Sequence, residues 1–149
     1  MSGTLAQLNV SSGGMPKLPI PEALVTTKGV TGDNQRNKKV HGGTDRAICI
    51  YSEELYAVLQ DFGVGVGPGD VGENFTTRGI DLQKLAKGDR LKVGDVCIIE
   101  ITNVRVPCHQ LKKWDIELPE LIVGRSGWVA KVITEGVVRS GDKIEVMSK

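Results

Sequence analysis

The sequence predicts a mainly β protein whose strands close, or nearly close, into a barrel with one or two short helices beside it. Short apolar runs recur at close spacing, and glycine-rich turns separate them. Gly-Asp pairs at positions 88–89, 94–95 and 141–142 each lead into alternating apolar and polar residues, which is typical of strands. Only one segment has a clear helical spacing of apolar residues. Closure of the sheet would also remove exposed strand edges.

The composition is that of an ordinary globular protein, with 40% hydrophobic residues, 25% charged residues and 19 glycines. A length of 149 residues fits one domain, and we expect residues 1–149 to form it. The formal net charge of +1 provides no global field for a nucleic-acid backbone or a membrane surface, so we expect neither partner. The N-terminus lacks a signal-peptide pattern and no apolar stretch could span a bilayer, which predicts a cytoplasmic location.

The first third of the chain is predicted to contain strands and extended connections. Residues 5–10 are an apolar segment that indicates an opening strand. Three prolines break up residues 15–22, which predicts an extended surface connection from which Lys17 can project. Residues 47–51 are a continuous apolar run, typical of a strand buried on both faces, so Cys49 is predicted to lie in the core.

One helix is predicted directly after this strand. Ser52 can cap it, two glutamates follow in its first turn, and apolar residues at 55, 58, 59 and 62 form one face before Gly63 ends it. Residues 63–77 are so rich in glycine that we expect a shaped loop. The remaining pattern predicts a helical turn over 81–86 and strands over 96–101, 128–133 and 140–146.

A basic loop over residues 32–46 is the first candidate for ligand binding. It contains four basic residues, His41 and the pair Gly42-Gly43. Glycine allows the backbone to approach a ligand closely, and amides beside Arg or Lys suit a phosphate or another oxyanion. The same composition also fits a solvated charged loop.

A second candidate loop covers residues 72–79. It presents the Glu73 carboxylate, the Asn74 amide, hydroxyls and a guanidinium, which can hydrogen-bond to a heterocycle or phosphate or satisfy the turn's own backbone. The glycines before it follow a helix and not a strand, and no G-x-x-x-x-G-K-[ST] segment exists, so both nucleotide-binding motifs are excluded.

Cys108 is the candidate reactive residue. It ends the segment Arg105-Val106-Pro107-Cys108, where the proline stops an apolar strand. Thiolate is the form that attacks sulfur and binds soft metals, and Arg105 with His109 can favour it. The alternative is a cysteine that fills a small apolar gap. No four-residue ligand set for zinc is present, and Cys97, within an apolar strand, is predicted to be inert.

Taken in order, these segments resemble the MOSC domain, the C-terminal module of molybdenum cofactor sulfurases that also occurs as free-standing bacterial proteins. The resemblance rests on Gly32-Asp33, on His41 to Ala47, on Gly72-Glu73-Asn74 and on Arg105 to Cys108. It implies a β-barrel similar to the small barrel domain of pyruvate kinase, which agrees with the strand pattern.

The resemblance implies that Cys108 is the family's reactive cysteine and that Arg105 assists it, either as a persulfide carrier in sulfur transfer or as a molybdenum ligand in an oxidoreductase. The residues it implies for cofactor binding are Asp33, His41, Gly42, Gly43, Asp45, Arg46, Glu73 and Asn74. The implied cofactor is the molybdenum cofactor, molybdopterin. A non-catalytic module that binds an anionic ligand is a further alternative.

The resemblance also implies partners. The chain has no pyridoxal-phosphate-dependent desulfurase domain, so we expect a sulfur donor such as a cysteine desulfurase, or a redox partner, and a molybdoenzyme as acceptor. Pyridoxal phosphate binding is associated with the family, but no lysine here stands out as a Schiff-base candidate, so we do not expect that cofactor in this chain alone.

Overall fold

The computed structural model describes residues 1–34 and 44–147. Within these ranges the chain forms eleven strands and two α-helices, together with short 3-10 helices. The strands are β1 (Ser2–Val10), β2 (Leu18–Ile20), β3 (Glu22–Thr26), β4 (Gly29–Val30), β5 (Ile48–Ser52), β6 (Phe75–Arg78), β7 (Arg90–Val93), β8 (Cys97–Val104), β9 (Trp128–Thr134), β10 (Gly136–Arg139) and β11 (Lys143–Met147). The helices are α1 (Glu53–Asp61) and α2 (Leu118–Leu121), and the 3-10 helices are Thr44–Arg46, Leu82–Lys84 and His109–Lys113.

Seven strands close into a barrel in the order β11, β7, β8, β9, β5, β6, β1, and β1 pairs with β11 to complete the ring. The predicted closed barrel is therefore confirmed. Neighbours in the ring are antiparallel except β5 and β6, which run parallel with Ile50 opposite Phe75. β2 extends the sheet beyond β1, and β10, β3 and β4 form a separate three-stranded sheet.

Alternation along the strands fills the barrel interior with aliphatic side chains. Ile99 and Ile101 of β8 lie opposite Val132 and Ala130 of β9, and all four are buried. Burial of each large side chain stabilises the fold by roughly 2 kcal/mol relative to exposure. Residues between these positions point to the outer face of the barrel.

The predicted helix is α1, and its cap is the expected one. Ser52 accepts a hydrogen bond from the Leu55 N–H at 3.0 Å. Its buried face consists of Leu55, Tyr56 and Leu59, whereas Val58 and Phe62, which the spacing assigned to that face, are exposed. The described residues contain no helix that is both long and apolar enough to cross a membrane.

Two local predictions were wrong. Lys17 is buried and does not project from the connection between β1 and β2. Residues 75–77 lie in β6 and not in a loop, because they pair with β5 on one side and β1 on the other.

Candidate functional site

Four of the predicted site residues lie together on the outer face of the barrel around β5. Ile48 and Ile50 of this strand point into the interior, so Cys49 and Tyr51 project outward. The connection before β2, the loop between α1 and β6, and the end of β8 cover this face. Their side chains form a connected polar cluster.

Asp33 lies at one end of this cluster and has both carboxylate oxygens occupied. Oδ1 accepts hydrogen bonds from Lys17 Nζ at 2.6 Å and from the Ser11 N–H at 2.9 Å, and Oδ2 accepts from Asn74 Nδ2 at 2.9 Å. The side chains of Lys17 and Asp33 are only 7% and 3% exposed, so this is a buried ion pair. Asp33 therefore joins the segment before β2 to the loop before β6.

Asn74 continues this chain of contacts to Cys49. The Asn74 side-chain oxygen accepts from the Cys49 N–H at 3.0 Å, and the Asn74 N–H donates to the Cys49 carbonyl at 2.9 Å. The Asn74 amide nitrogen also donates to the Asn9 carbonyl at 3.3 Å. Asn74 thus holds both backbone polar groups of Cys49 and fixes that residue relative to β1.

Glu73 is fully buried and receives three hydrogen bonds. The Tyr56 hydroxyl donates to Oε1 at 2.6 Å, and the Gly69 N–H and the Thr76 hydroxyl donate to Oε2 at 3.0 and 2.7 Å. Burial raises the pKa of Glu73, and the three donors oppose that rise. Because Tyr56 also accepts the Val71 N–H, Glu73 connects α1, the glycine-rich loop and β6.

Arg105 extends from the end of β8 across this region and is 8% exposed. Its Nη2 donates to the Val71 carbonyl, and its backbone N–H donates to the Gly127 carbonyl at 3.1 Å. Its Nη1 is buried and has no hydrogen-bond partner among the described residues. A buried guanidinium with a free donor is costly unless an acceptor completes it.

Gly72 allows the loop to pass close to Arg105. The φ of Gly72 is +89°, a backbone conformation that would strain any residue with a side chain. A Cβ at position 72 would lie 3.2 Å from Met15 Cγ and 3.6 Å from Arg105 Nη2. The Gly-Glu-Asn segment therefore fits tightly between the connection before β2 and the end of β8.

Cys108 is half-buried and begins the 3-10 helix His109–Lys113. Its Sγ lies 3.5 Å from the Gln110 nitrogen, which donates to it. The far end of this short helix is tied to the rest of the site, because Lys113 Nζ donates to the Met15 carbonyl at 2.9 Å and Trp114 Nε1 donates to the Asp70 carbonyl at 2.9 Å. The segment that follows Cys108 is thus attached to the connection before β2 and to the glycine-rich loop.

The other two thiols differ from each other. Cys97 is buried in β8, and burial raises its pKa to about 12, which agrees with the predicted inert thiol. Cys49 was predicted to be a core residue but is partly exposed on the outer face. Burial raises the pKa of the Cys49 thiol, while the charges of Arg105 and Lys17 act in the opposite direction.

The structure brings four predicted site residues together: Asp33, Glu73, Asn74 and Arg105. Asp45 and Arg46 lie in the 3-10 helix Thr44–Arg46, which contacts β8 through a hydrogen bond from the Thr102 hydroxyl to the Asp45 carbonyl. The predicted residues His41, Gly42 and Gly43 lie outside the described residues. Within the described part of the chain, no group of three or more His, Cys, Asp or Glu residues could hold a metal ion.

Sequence reasoning missed three members of the cluster: Lys17, Tyr51 and Tyr56. A lysine between prolines carries no signal for burial, because its partner Asp33 is 16 residues away. The tyrosines lie in a predicted strand and a predicted helix, and the contact between their rings, with centroids 4.8 Å apart, arises only from packing.

Comparison with known proteins identifies the class to which this barrel and site belong. The model of the MOSC domain family matches residues 37–145, so the chain belongs to the MOSC domain family. Among its relatives is protein YiiM of Escherichia coli strain K12, which is 34% identical over 137 residues, covering 86% of this chain and 60% of the relative. The chain thus spans less than two thirds of the length of that protein.

A further relative and a solved structure are also similar to this chain. A protein named Reductase from Gibberella moniliformis is 32% identical over 132 residues, which are 81% of this chain and 23% of that protein. The crystal structure of YiiM from Geobacillus stearothermophilus superposes with a TM-score of 0.81 at 24% identity, over 98% of this chain and 75% of that one. This likeness shows the shared fold.

Proposed function

We propose that this chain is a sulfur carrier associated with the molybdenum cofactor, with Cys108 as the thiol that holds a persulfide. The observation that carries the proposal is the position of Cys108. Its half-exposed sulfur begins a short helix, accepts an amide N–H, and lies in a segment tied to the buried polar cluster. Thiolate is the attacking form in such chemistry.

The proposed transfer is a thiol–persulfide exchange without net oxidation. The Cys108 thiolate attacks the terminal sulfur of a donor persulfide, R–S–SH, and the S–S bond of the donor breaks. The donor leaves as a thiolate and takes up the proton that Cys108 released. Cys108 then carries –S–SH, whose terminal sulfur passes to an acceptor molybdoenzyme. A cysteine desulfurase is a donor of the required chemical class.

In this proposal Asp33, Glu73 and Asn74 are positioning residues. Both oxygens of Asp33, both oxygens of Glu73 and both amide atoms of Asn74 are engaged by protein groups. They hold the covering segments against β5 and against the end of β8. Arg105 Nη1 and the Tyr51 hydroxyl have no hydrogen-bond partner among the described residues, and of the two the guanidinium is the cation that can bind an anion.

A second candidate function is a molybdenum-dependent oxidoreductase module, which the similarity to the protein named Reductase favours. A single thiolate from Cys108 fits molybdenum as a soft ligand, and the described residues provide no further metal-binding group. The bound cofactor would supply redox chemistry at the metal. Cys108 would hold the metal, and the free donor of Arg105 fits an anionic group of the cofactor.

One experiment separates the two candidates. The protein and its Cys108→Ser variant are expressed with intact cofactor synthesis, then assayed for cyanide-releasable sulfur and for elemental molybdenum. We expect releasable sulfur in the wild type and markedly less in Cys108→Ser. Cys97→Ala, which removes a buried thiol, is the matched control and should retain the wild-type signal.

Molybdenum that copurifies with the wild type and is lost in Cys108→Ser, without releasable sulfur, would replace the carrier function by the oxidoreductase module. Neither signal in a folded wild-type protein would contradict both functions. Equal releasable sulfur in wild type and Cys108→Ser would show that another residue carries it.

A further inference from the structure

The outer face of β5 carries a thiol and a hydroxyl that the chemistry of Cys108 does not use. Cys49 and Tyr51 are two residues apart on this strand, so their side chains project from the same face. Cys49 is partly exposed, whereas Tyr51 is fully buried. The Tyr51 hydroxyl finds no hydrogen-bond partner within residues 1–34 and 44–147.

The Arg105 side chain lies over this face. It starts beside the Tyr51 ring, because its N–H is bonded to the Gly127 carbonyl and a Cβ at Gly127 would lie 3.0 Å from Tyr51 Cδ1. It ends at the carbonyl of Val71, whose N–H donates to the Tyr56 hydroxyl at 3.1 Å. The Tyr56 ring in turn packs edge-on against Tyr51 with centroids 4.8 Å apart.

Two buried donors on this face therefore have no acceptor among the described residues. Arg105 Nη1 belongs to a side chain in a residue that is only 8% exposed, and the Tyr51 hydroxyl, on the face that this side chain crosses, can also donate. The group that would satisfy both is an acceptor, and an anion would also compensate the guanidinium charge. Cys49 is the residue on this face that can carry an anionic sulfur.

We propose that Cys49 is a second sulfur-accepting thiol of this site, and that its persulfide is the acceptor for Arg105 Nη1. The inference rests on the proposed sulfur-carrier function, because it requires the same class of donor. The Cys49 thiolate attacks the terminal sulfur of R–S–SH, the donor S–S bond breaks, and the leaving thiolate takes up the Cys49 proton. The new S–S bond extends the side chain by about 2.0 Å.

Asn74 fixes the position of the Cys49 backbone. It holds the Cys49 N–H at 3.0 Å and the Cys49 carbonyl at 2.9 Å, and Asp33 holds the Asn74 amide at 2.9 Å. Burial raises the pKa of Cys49, so the free thiol keeps its proton at neutral pH and loading should accelerate as the buffer becomes alkaline.

The test uses inorganic polysulfide as the probe and mass spectrometry of the intact chain and its peptides. The folded protein is treated in neutral and mildly alkaline buffer, and each cysteine peptide is examined for the mass of one added sulfur atom. We expect added sulfur at Cys49 and Cys108 and none at Cys97, which serves as the internal control for unfolding. Cys108→Ser should still load Cys49, and loading should be faster in the alkaline buffer.

Arg105→Met should slow the loading of Cys49 by at least about tenfold, the effect of one lost charge-assisted hydrogen bond. If Arg105→Met exposes Cys97 to the probe, Tyr51→Phe is used in its place, since that variant removes only a hydroxyl that has no partner among the described residues, and it should also slow the loading of Cys49. An unmodified Cys49 in a protein whose Cys108 loads would overturn the inference and leave the carrier function intact. An unmodified Cys108 in a protein whose Cys49 loads would overturn the carrier role of Cys108 and support the inference.

Discussion

At the scale of single residues, the Glu73 carboxylate is the best-defined acceptor in the cluster. Thr76 accepts from Asn9 Nδ2 at 3.0 Å and Tyr56 accepts from the Val71 N–H at 3.1 Å, so both hydroxyls point their protons at Glu73. The Gly69 N–H is a third donor with fixed direction. A carboxylate can satisfy all three, because it only accepts hydrogen bonds.

We expect Glu73→Gln to lower the free energy of unfolding by about 2 kcal/mol, because the new amide group must face at least one donor and leaves it unsatisfied. Urea denaturation followed by circular dichroism measures the change. Glu53→Gln is the matched control, since Glu53 pairs with Arg78 at the surface and such pairs contribute little. Equal stabilities of Glu73→Gln and the control would contradict the arrangement of donors.

At the scale of elements, the ion pair of Lys17 and Asp33 joins the connection before β2 to the segment after β4. We expect Lys17→Met to lower the free energy of unfolding by about 3–5 kcal/mol, because it leaves the Asp33 carboxylate buried without its counter-charge. Denaturant unfolding measures it, and the matched control is Lys143→Met, whose pair with Glu145 is exposed.

A double-mutant cycle isolates the pair. Lys17→Met with Asp33→Asn should be more stable than the sum of the two single changes predicts, because the neutral amide no longer needs a cation. Additive effects would show that the Lys17 and Asp33 side chains do not interact energetically.

The elements that sequence predicted correctly depend on local signals, and those it missed depend on distant partners. α1 was predicted because Ser52 and the glutamates that follow lie within its first turn. β6 was missed because it is stabilised by pairing with β5 and β1, which lie far away in the chain. Cys49 was predicted to lie in the core because residues 47–51 are all apolar, so the sequence does not show which side chains of this strand point to the outer face.

At the scale of the whole molecule, closure of the barrel determines what the site can contain. The pairing of β1 with β11 completes the ring, and the recurrent turn-and-strand pattern was enough to predict it. The same pattern says nothing about the outer face, where the cluster forms from segments 15–17, 69–74 and 105–108. Family resemblance identified Asp33, Asn74 and Arg105, whereas Lys17 and Tyr51 became apparent only from burial.

Two thiols and two tyrosine hydroxyls are wholly or partly buried in their neutral form, and this predicts a loss of stability in alkaline solution. Burial raises the pKa values of Cys49, Cys97, Tyr51 and Tyr56 above their ordinary values of 9.0 for the thiols and 10.0 for the phenols. The unfolded chain releases these protons at the ordinary values while the native protein keeps them. Their contribution to stability is therefore complete below about pH 9 and is lost as the pH rises through the folded-state values.

We expect each such group to lower the free energy of unfolding by about 1.4 kcal/mol for each pH unit above its ordinary pKa. Denaturant titrations at a series of pH values measure the slope. Cys97→Ala should make the slope shallower by the contribution of one group, because the thiol with a pKa of about 12 is then missing from the native protein. A free energy of unfolding that stays constant across the alkaline range, or an unchanged slope in Cys97→Ala, would show that these groups ionise as readily in the native barrel as in the unfolded chain.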